Sequence, residues 1–70
     1  MLLVYVLVYI RTPDGDQKGE IEGFSRVPSI GESIQIPPGK FRVLDVTHVA
    51  TSAGGGSANN PIATILVQFN

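Results

Sequence analysis

Residues 1–10 read MLLVYVLVYI, and Arg11-Thr12-Pro13-Asp14 ends the run abruptly. β-branched and aromatic side chains dominate the run and turn-forming residues close it, which marks a strand over residues 2–11. Successive strand side chains point to opposite faces. Leu3, Tyr5, Leu7 and Tyr9 therefore share one face, and Val4, Val6, Val8 and Ile10 share the other. Both faces are apolar. Such a strand sits at the centre of a sheet covered on both sides, bends round a barrel, or is covered by a second chain.

The same ten residues could be mistaken for a targeting segment. They are about half of what a membrane-spanning helix requires. No Lys or Arg stands before them and no small-x-small pair follows, so no secretion signal is expected and the expected location is cytoplasmic.

Beyond this strand, residues 12–19 (TPDGDQKG) form a turn region, with Pro13 presetting its backbone angle and Gly15 or Gly19 free to take positive φ. Residues 20–27 resume as a strand whose pattern slips, because Ile21 and Phe24 are three apart. A β-bulge near Gly23 would return both to the core. Residues 28–32 (PSIGE) turn the chain into residues 33–36, where Ile34 and Ile36 face inward, and Pro37-Pro38-Gly39 make a tight turn. The strand over residues 40–49 slips phase as well. A bulge around Leu44 and Asp45 would gather Phe41, Val43, Val46 and His48 on one inner surface. Residues 50–60 (ATSAGGGSANN) are small, polar and glycine-rich, a flexible connection. After Pro61, Ile65, Val67 and Phe69 alternate with Thr64, Leu66 and Gln68 in a last strand.

Five strands, two bulges and no helix predict an all-β domain over residues 1–70, a small, partly open barrel of SH3-like or OB-like type. Seventy residues allow one core, and at this size stability is marginal. The usual supports are disulfides, a metal or a partner chain. The chain has no cysteine and one histidine, so neither a disulfide nor a thiolate zinc site is available, and association with another chain remains. A net charge of −1 gives no long-range attraction to nucleic acid or anionic membrane.

The motifs that carry chemistry each fall short. Asp14-Gly15-Asp16-Gln17-Lys18-Gly19-Glu20-Ile21 has the acidic first and third positions, sixth glycine and eighth aliphatic residue of a calcium loop. Lys18 stands where an oxygen ligand belongs and Ser25 where a bidentate Glu belongs, so an acidic turn is expected and no metal. Gly54-Gly55-Gly56-Ser57 lacks the Lys-Ser/Thr pair and the helix of a phosphate loop. His48 is the single histidine, the side chain best suited to general acid–base chemistry, but Asp45, Thr47, Thr51 and Ser52 do not converge on it along a strand, and a strand-end histidine with a structural hydrogen bond is expected. Glu20 and Glu22 read as solvated edge charges that deter stray strand pairing. No catalytic, metal or cofactor residue is assigned.

Residues 26–34 (RVPSIGESI) and 41–48 (FRVLDVTH) form a pattern, R-x-P-x-x-G-[ED]-x-[IV] followed by [YF]-x-V-x-x-V-x-H. It is similar to one found in short uncharacterised bacterial and phage proteins. The resemblance implies a turn and a bulged strand, and it carries no activity and no functional residues with it.

The expected function is a non-enzymatic interaction module that binds protein, itself first. A homodimer would form through Leu3, Tyr5, Leu7 and Tyr9. The alternative is a weak single-stranded nucleic-acid binder in which Arg26, Lys40 and Arg42 form a small basic patch near Tyr5, Tyr9, Phe24 and Phe41.

Overall fold

The computed structural model describes residues 3–37, 39–49 and 60–70. Its strands are β1 (Val4–Thr12), β2 (Gly15–Phe24), β3 (Ser33–Ile36), β4 (Gly39–His48) and β5 (Ala63–Phe69). They form one mixed sheet in the order β2-β1-β5-β4-β3, with β1 and β5 parallel at its centre and the other neighbours antiparallel. The sheet curls into a half-barrel, and the described residues contain no helix. The glycine-rich stretch 50–59 lies outside the described residues, as does Pro38 of the expected tight turn.

The first turn is shorter than the sequence pattern suggests, and β2 begins at Gly15 rather than at residue 20. The Thr12 hydroxyl donates to the Gly15 carbonyl at 2.7 Å and accepts the Asp14 N–H at 3.2 Å. Gly15 takes φ +121°, open to glycine without the clash that a Cβ brings. Four residues thus reverse the chain, which leaves Asp16, Gln17 and Lys18 to pair with β1 along an edge where polar side chains meet water.

Two bulges shape the sheet. One lies in β2 at Gly19 and Glu20, which together stand opposite Val8 between the pairs Leu7↔Ile21 and Tyr9↔Lys18. This corrects the expectation of a bulge near Gly23. A Cβ on Gly19 would lie 2.9 Å from the Val8 carbonyl oxygen, so the close approach of the two backbones selects glycine there. The shifted register sends Ile21 to the outer face beside Leu7 and leaves Phe24 packed against the core. Gly23 stays in register opposite Tyr5, and the side chains of Leu3 and Tyr5 lie over it.

The other bulge is the extra residue Leu44, between Val43↔Val67 and Asp45↔Leu66, where the sequence places it. The Asp45 carboxylate accepts the Val46 N–H at 2.9 Å and steadies it. Phe41 and Val43 are buried, and Val46 packs on the same face. His48 shares that face opposite Ala63 but is exposed.

Val6, Val8, Phe41, Val43, Ala63, Ile65 and Val67 make the core. Val4 and Ile10 flank it from the same face of β1, as their alternation requires. Full burial of a Val or Ile side chain contributes roughly 1.5–3 kcal/mol. Residues 25–32 cross the open side, where Pro28 is buried and Val27 packs against the core. That segment is stitched to β4: the Gly31 N–H donates to the Val43 carbonyl and the Val43 N–H to the Glu32 carbonyl, each at 2.9 Å.

Candidate interaction surface

Because β1 is apolar on both faces, packing Val4, Val6, Val8 and Ile10 inward leaves Leu3, Tyr5, Leu7 and Tyr9 on the outer face. Leu3 is 47% exposed, and the other three are half-buried between their neighbours. Register builds the face outward in rows. Ile21, Leu7, Thr64 and Thr47 stand side by side across β2, β1, β5 and β4. Lys18, Tyr9, Leu66 and Asp45 form the next row. Then come Asp16 and Arg11 on one side, with Gln68 and Arg42 on the other. The face thus grades from an apolar end at Leu3 and Tyr5 to a charged end at Arg11 and Arg42. Beside Tyr9 and above Leu66 lies an open hollow of about 200 Å³, rimmed by Asp16, Asp45, Thr47 and Thr64.

The three cations of the nucleic-acid alternative separate. Arg26 lies in the crossing segment with both terminal nitrogens on the Glu32 carboxylate, Nη1 to Oε1 at 2.7 Å and Nη2 to Oε2. Lys40 and Arg42 are two apart on the outer face of β4, opposite Gln35 and Ser33. Arg42 donates to the Gly31 carbonyl at 3.2 Å. The outer face also carries Arg11 and Lys18, so it holds four of the five cations of the chain. Arg11 is spent on Asp16 at 3.3 Å.

Phe24 and Phe41 belong to the inner side, where the Phe41 and Phe69 rings tilt against each other with centroids 4.4 Å apart. His48 and Val46 face Val27, Pro28, Ser29 and Ile30 across a groove of about 350 Å³. The turn and strand halves of the sequence pattern therefore meet in one structural unit. The His48 side chain makes no hydrogen bond among the described residues, and a partner for it in residues 50–59 would lie outside them. Among the described residues no three of His, Asp and Glu gather to hold a metal ion, and no helix is long and apolar enough to cross a membrane.

No family model, no curated protein and no solved structure matches the chain. Sequence reasoning found the β1 half of the outer face and missed Ile21 and Leu66. The short Thr12-Pro13-Asp14-Gly15 turn was the available signal for Ile21, since pairing Thr12 with Gly15 sets the register of β2 from that end. Leu66 was legible as an outward residue of the last strand, but nothing in the sequence placed that strand beside β1.

Proposed function

We propose that this chain is a non-enzymatic interaction module, a small barrel of the SH3-like or OB-like sort that binds protein through its outer face and itself first. One observation carries the reading. Leu3, Tyr5, Leu7 and Tyr9 lie together on the face turned from the core, and Ile21 and Leu66 widen the stripe across three strands. A contiguous apolar patch on a domain with so small a core favours a covering partner. Tyrosine suits such a surface, since its ring can be buried while its hydroxyl reaches a polar rim.

Light scattering across a concentration series tests the reading. It is expected to give a homodimer in the micromolar range, and a monomer throughout would reject it. Tyr5→Glu with Leu7→Glu is expected to return the dimer to monomer without loss of the β-sheet circular dichroism signal. An unchanged dimer would move the interface elsewhere.

The second reading, single-stranded nucleic-acid binding, is favoured by a different grouping from Arg26, Lys40 and Arg42. Lys18, Lys40 and Arg42 share the outer face with Tyr5 and Tyr9, whereas Arg26 is occupied by Glu32. Titration of a labelled oligonucleotide at low and moderate salt separates the two, because binding through phosphates weakens steeply with salt.

A further inference from the structure

The central strands run in directions that are symmetric about the line between β1 and β5. Those two are parallel, and each is flanked by an antiparallel neighbour, β2 on one side and β4 on the other. A two-fold axis laid along that line over the outer face sets β4 of a second copy against β2, and β5 of the second copy against β1. The rows then meet in register. Lys18 faces the partner's Asp45, Asp16 faces the partner's Arg42, and Tyr9 faces the partner's Leu66. Every charged position in these rows meets an opposite charge or, for Arg11, the uncharged partner's Gln68.

We infer that the outer face docks on a second copy of this chain about this axis, strands aligned, with Lys18 paired to the partner's Asp45 and Asp16 to the partner's Arg42. The inference rests on the self-association proposed above and specifies its geometry. The other two-fold axis lying in the face, across the strands, stacks β2 on β2 and β4 on β4. With the Lys18–Tyr9–Leu66–Asp45 row at its centre, that arrangement sets Lys18 against Lys18 and Asp45 against Asp45, which disfavours a complex. Half a row along, it sets Lys18 against the partner's Asp16 and Asp45 against the partner's Arg42. Exchanging the charges of Lys18 and Asp45 restores opposite pairs only about the aligned axis, and so decides between the two.

Curvature agrees with the aligned arrangement. The sheet curls toward its core, so the outer face is convex across the strands, and contact concentrates along β1 and β5. There the apolar side chains stand: Leu7, Tyr9 and Leu66. The flanking strands fall away from the partner, and each flanking pair joins one long side chain to one short carboxylate, which spans a gap that two short groups would not. The hollow above Leu66 has room on its floor, and the partner's Tyr9 is the large side chain that the axis brings to it. The rim carboxylates and threonines would accept a hydrogen bond from its hydroxyl.

A charge swap tests the register. Lys18 and Asp45 are both exposed, so reversing them leaves the core untouched. Lys18→Asp and Asp45→Lys, each alone, are expected to weaken the dimer about tenfold or more at low salt, because symmetry opposes like charges twice. The two together are expected to return the dissociation constant to within about threefold of the parent, with the rescue fading as salt rises. Sedimentation equilibrium across roughly 1–500 µM protein reads all of them. Because Asp45 also holds the Val46 N–H, Asp16→Arg with Arg42→Asp supplies a second swap in the next row, made in an Arg11→Gln background since Asp16 also pairs with Arg11. If both double variants stay as weak as their singles, or if the singles change nothing while Tyr5→Glu with Leu7→Glu still breaks the dimer, this geometry is wrong and the outer-face reading stands. A parent that remains monomeric overturns both.

Discussion

The Arg26 guanidinium holds the Glu32 carboxylate by both oxygens, and the Ser29 N–H donates to the same carboxylate at Oε1. The ion pair ties the start of the crossing segment to its end, and the Glu32 N–H closes the turn on the Ser29 carbonyl at 3.1 Å. Donation by Arg26, then by the Ser29 N–H, lowers the Glu32 carboxyl from the ordinary 4.5 to about 2, against the opposing effect of desolvation. A depressed carboxylate contributes stability that is fully present above the unfolded value, and that contribution is lost as pH falls through the folded one. The Glu32 contribution is therefore whole above pH 4.5 and disappears between there and about 2. Carboxyl NMR titration is expected to place the Glu32 midpoint far below the ordinary value, and Arg26→Gln to raise it. A midpoint near 4.5 in the parent would show that the pair does not persist in solution.

Two glycines are expected to resist substitution for different reasons. Gly31 has φ +90° with open space where a Cβ would go, so Gly31→Ala costs backbone strain alone, about 1–2 kcal/mol. Gly31→Asn should recover part of that, since Asn tolerates the left-handed region. Gly19→Ala instead drives a Cβ into the Val8 carbonyl at 2.9 Å and forces the bulge to move, at a cost of about 1–3 kcal/mol that Asn does not relieve. Urea unfolding of the four variants checks the contrast, and equal recovery by Asn at both sites would refute it.

Ile65 is fully buried at the centre of the sheet. Ile65→Ala is expected to cost about 2–5 kcal/mol, and Ile65→Val about 1. A domain of this length holds only about 4–10 kcal/mol in total, so the alanine variant should be largely unfolded or close to it. His48→Ala, at an exposed strand end, should shift the urea midpoint little. A large loss there would reveal a contact for the imidazole beyond the described residues.

Calcium should give no saturable heat at millimolar concentration. Asp16 faces Arg11 at 3.3 Å, and Lys18 lies two residues along the same strand, so the would-be loop is an extended edge with cations beside its carboxylates. A calorimetric signal that vanishes in Asp16→Ala would contradict this.

The all-β class, the strand that forms β3 and the division of β1 into two faces were legible because a two-residue period and turn residues are local properties. The Leu44 bulge was legible for a related reason: Phe41 and Val43 fall out of phase with Val46 unless one residue is added. The β2 bulge was not. Its cause is the distance from Gly19 to the backbone of another strand, and no neighbour in sequence reports that. The same limit applies to the candidate surface. Hydrophobicity identified Leu3, Tyr5, Leu7 and Tyr9, but Ile21, Leu66 and the flanking charges join them only through pairings between strands.

The place of β5 has a consequence for how the chain assembles. It is the only strand among the described residues that pairs with both β1 and β4, and it comes last in sequence. Until it is made, the β1–β2 and β3–β4 hairpins share no ladder, and β1 offers apolar side chains on both sides with one edge bare. Before β5 is made, the four strands ahead of it can pair only as two separate ribbons, and the edge of β1 that β5 later covers is open to the wrong neighbour. Loss of β5 would not trim the domain. It would divide it.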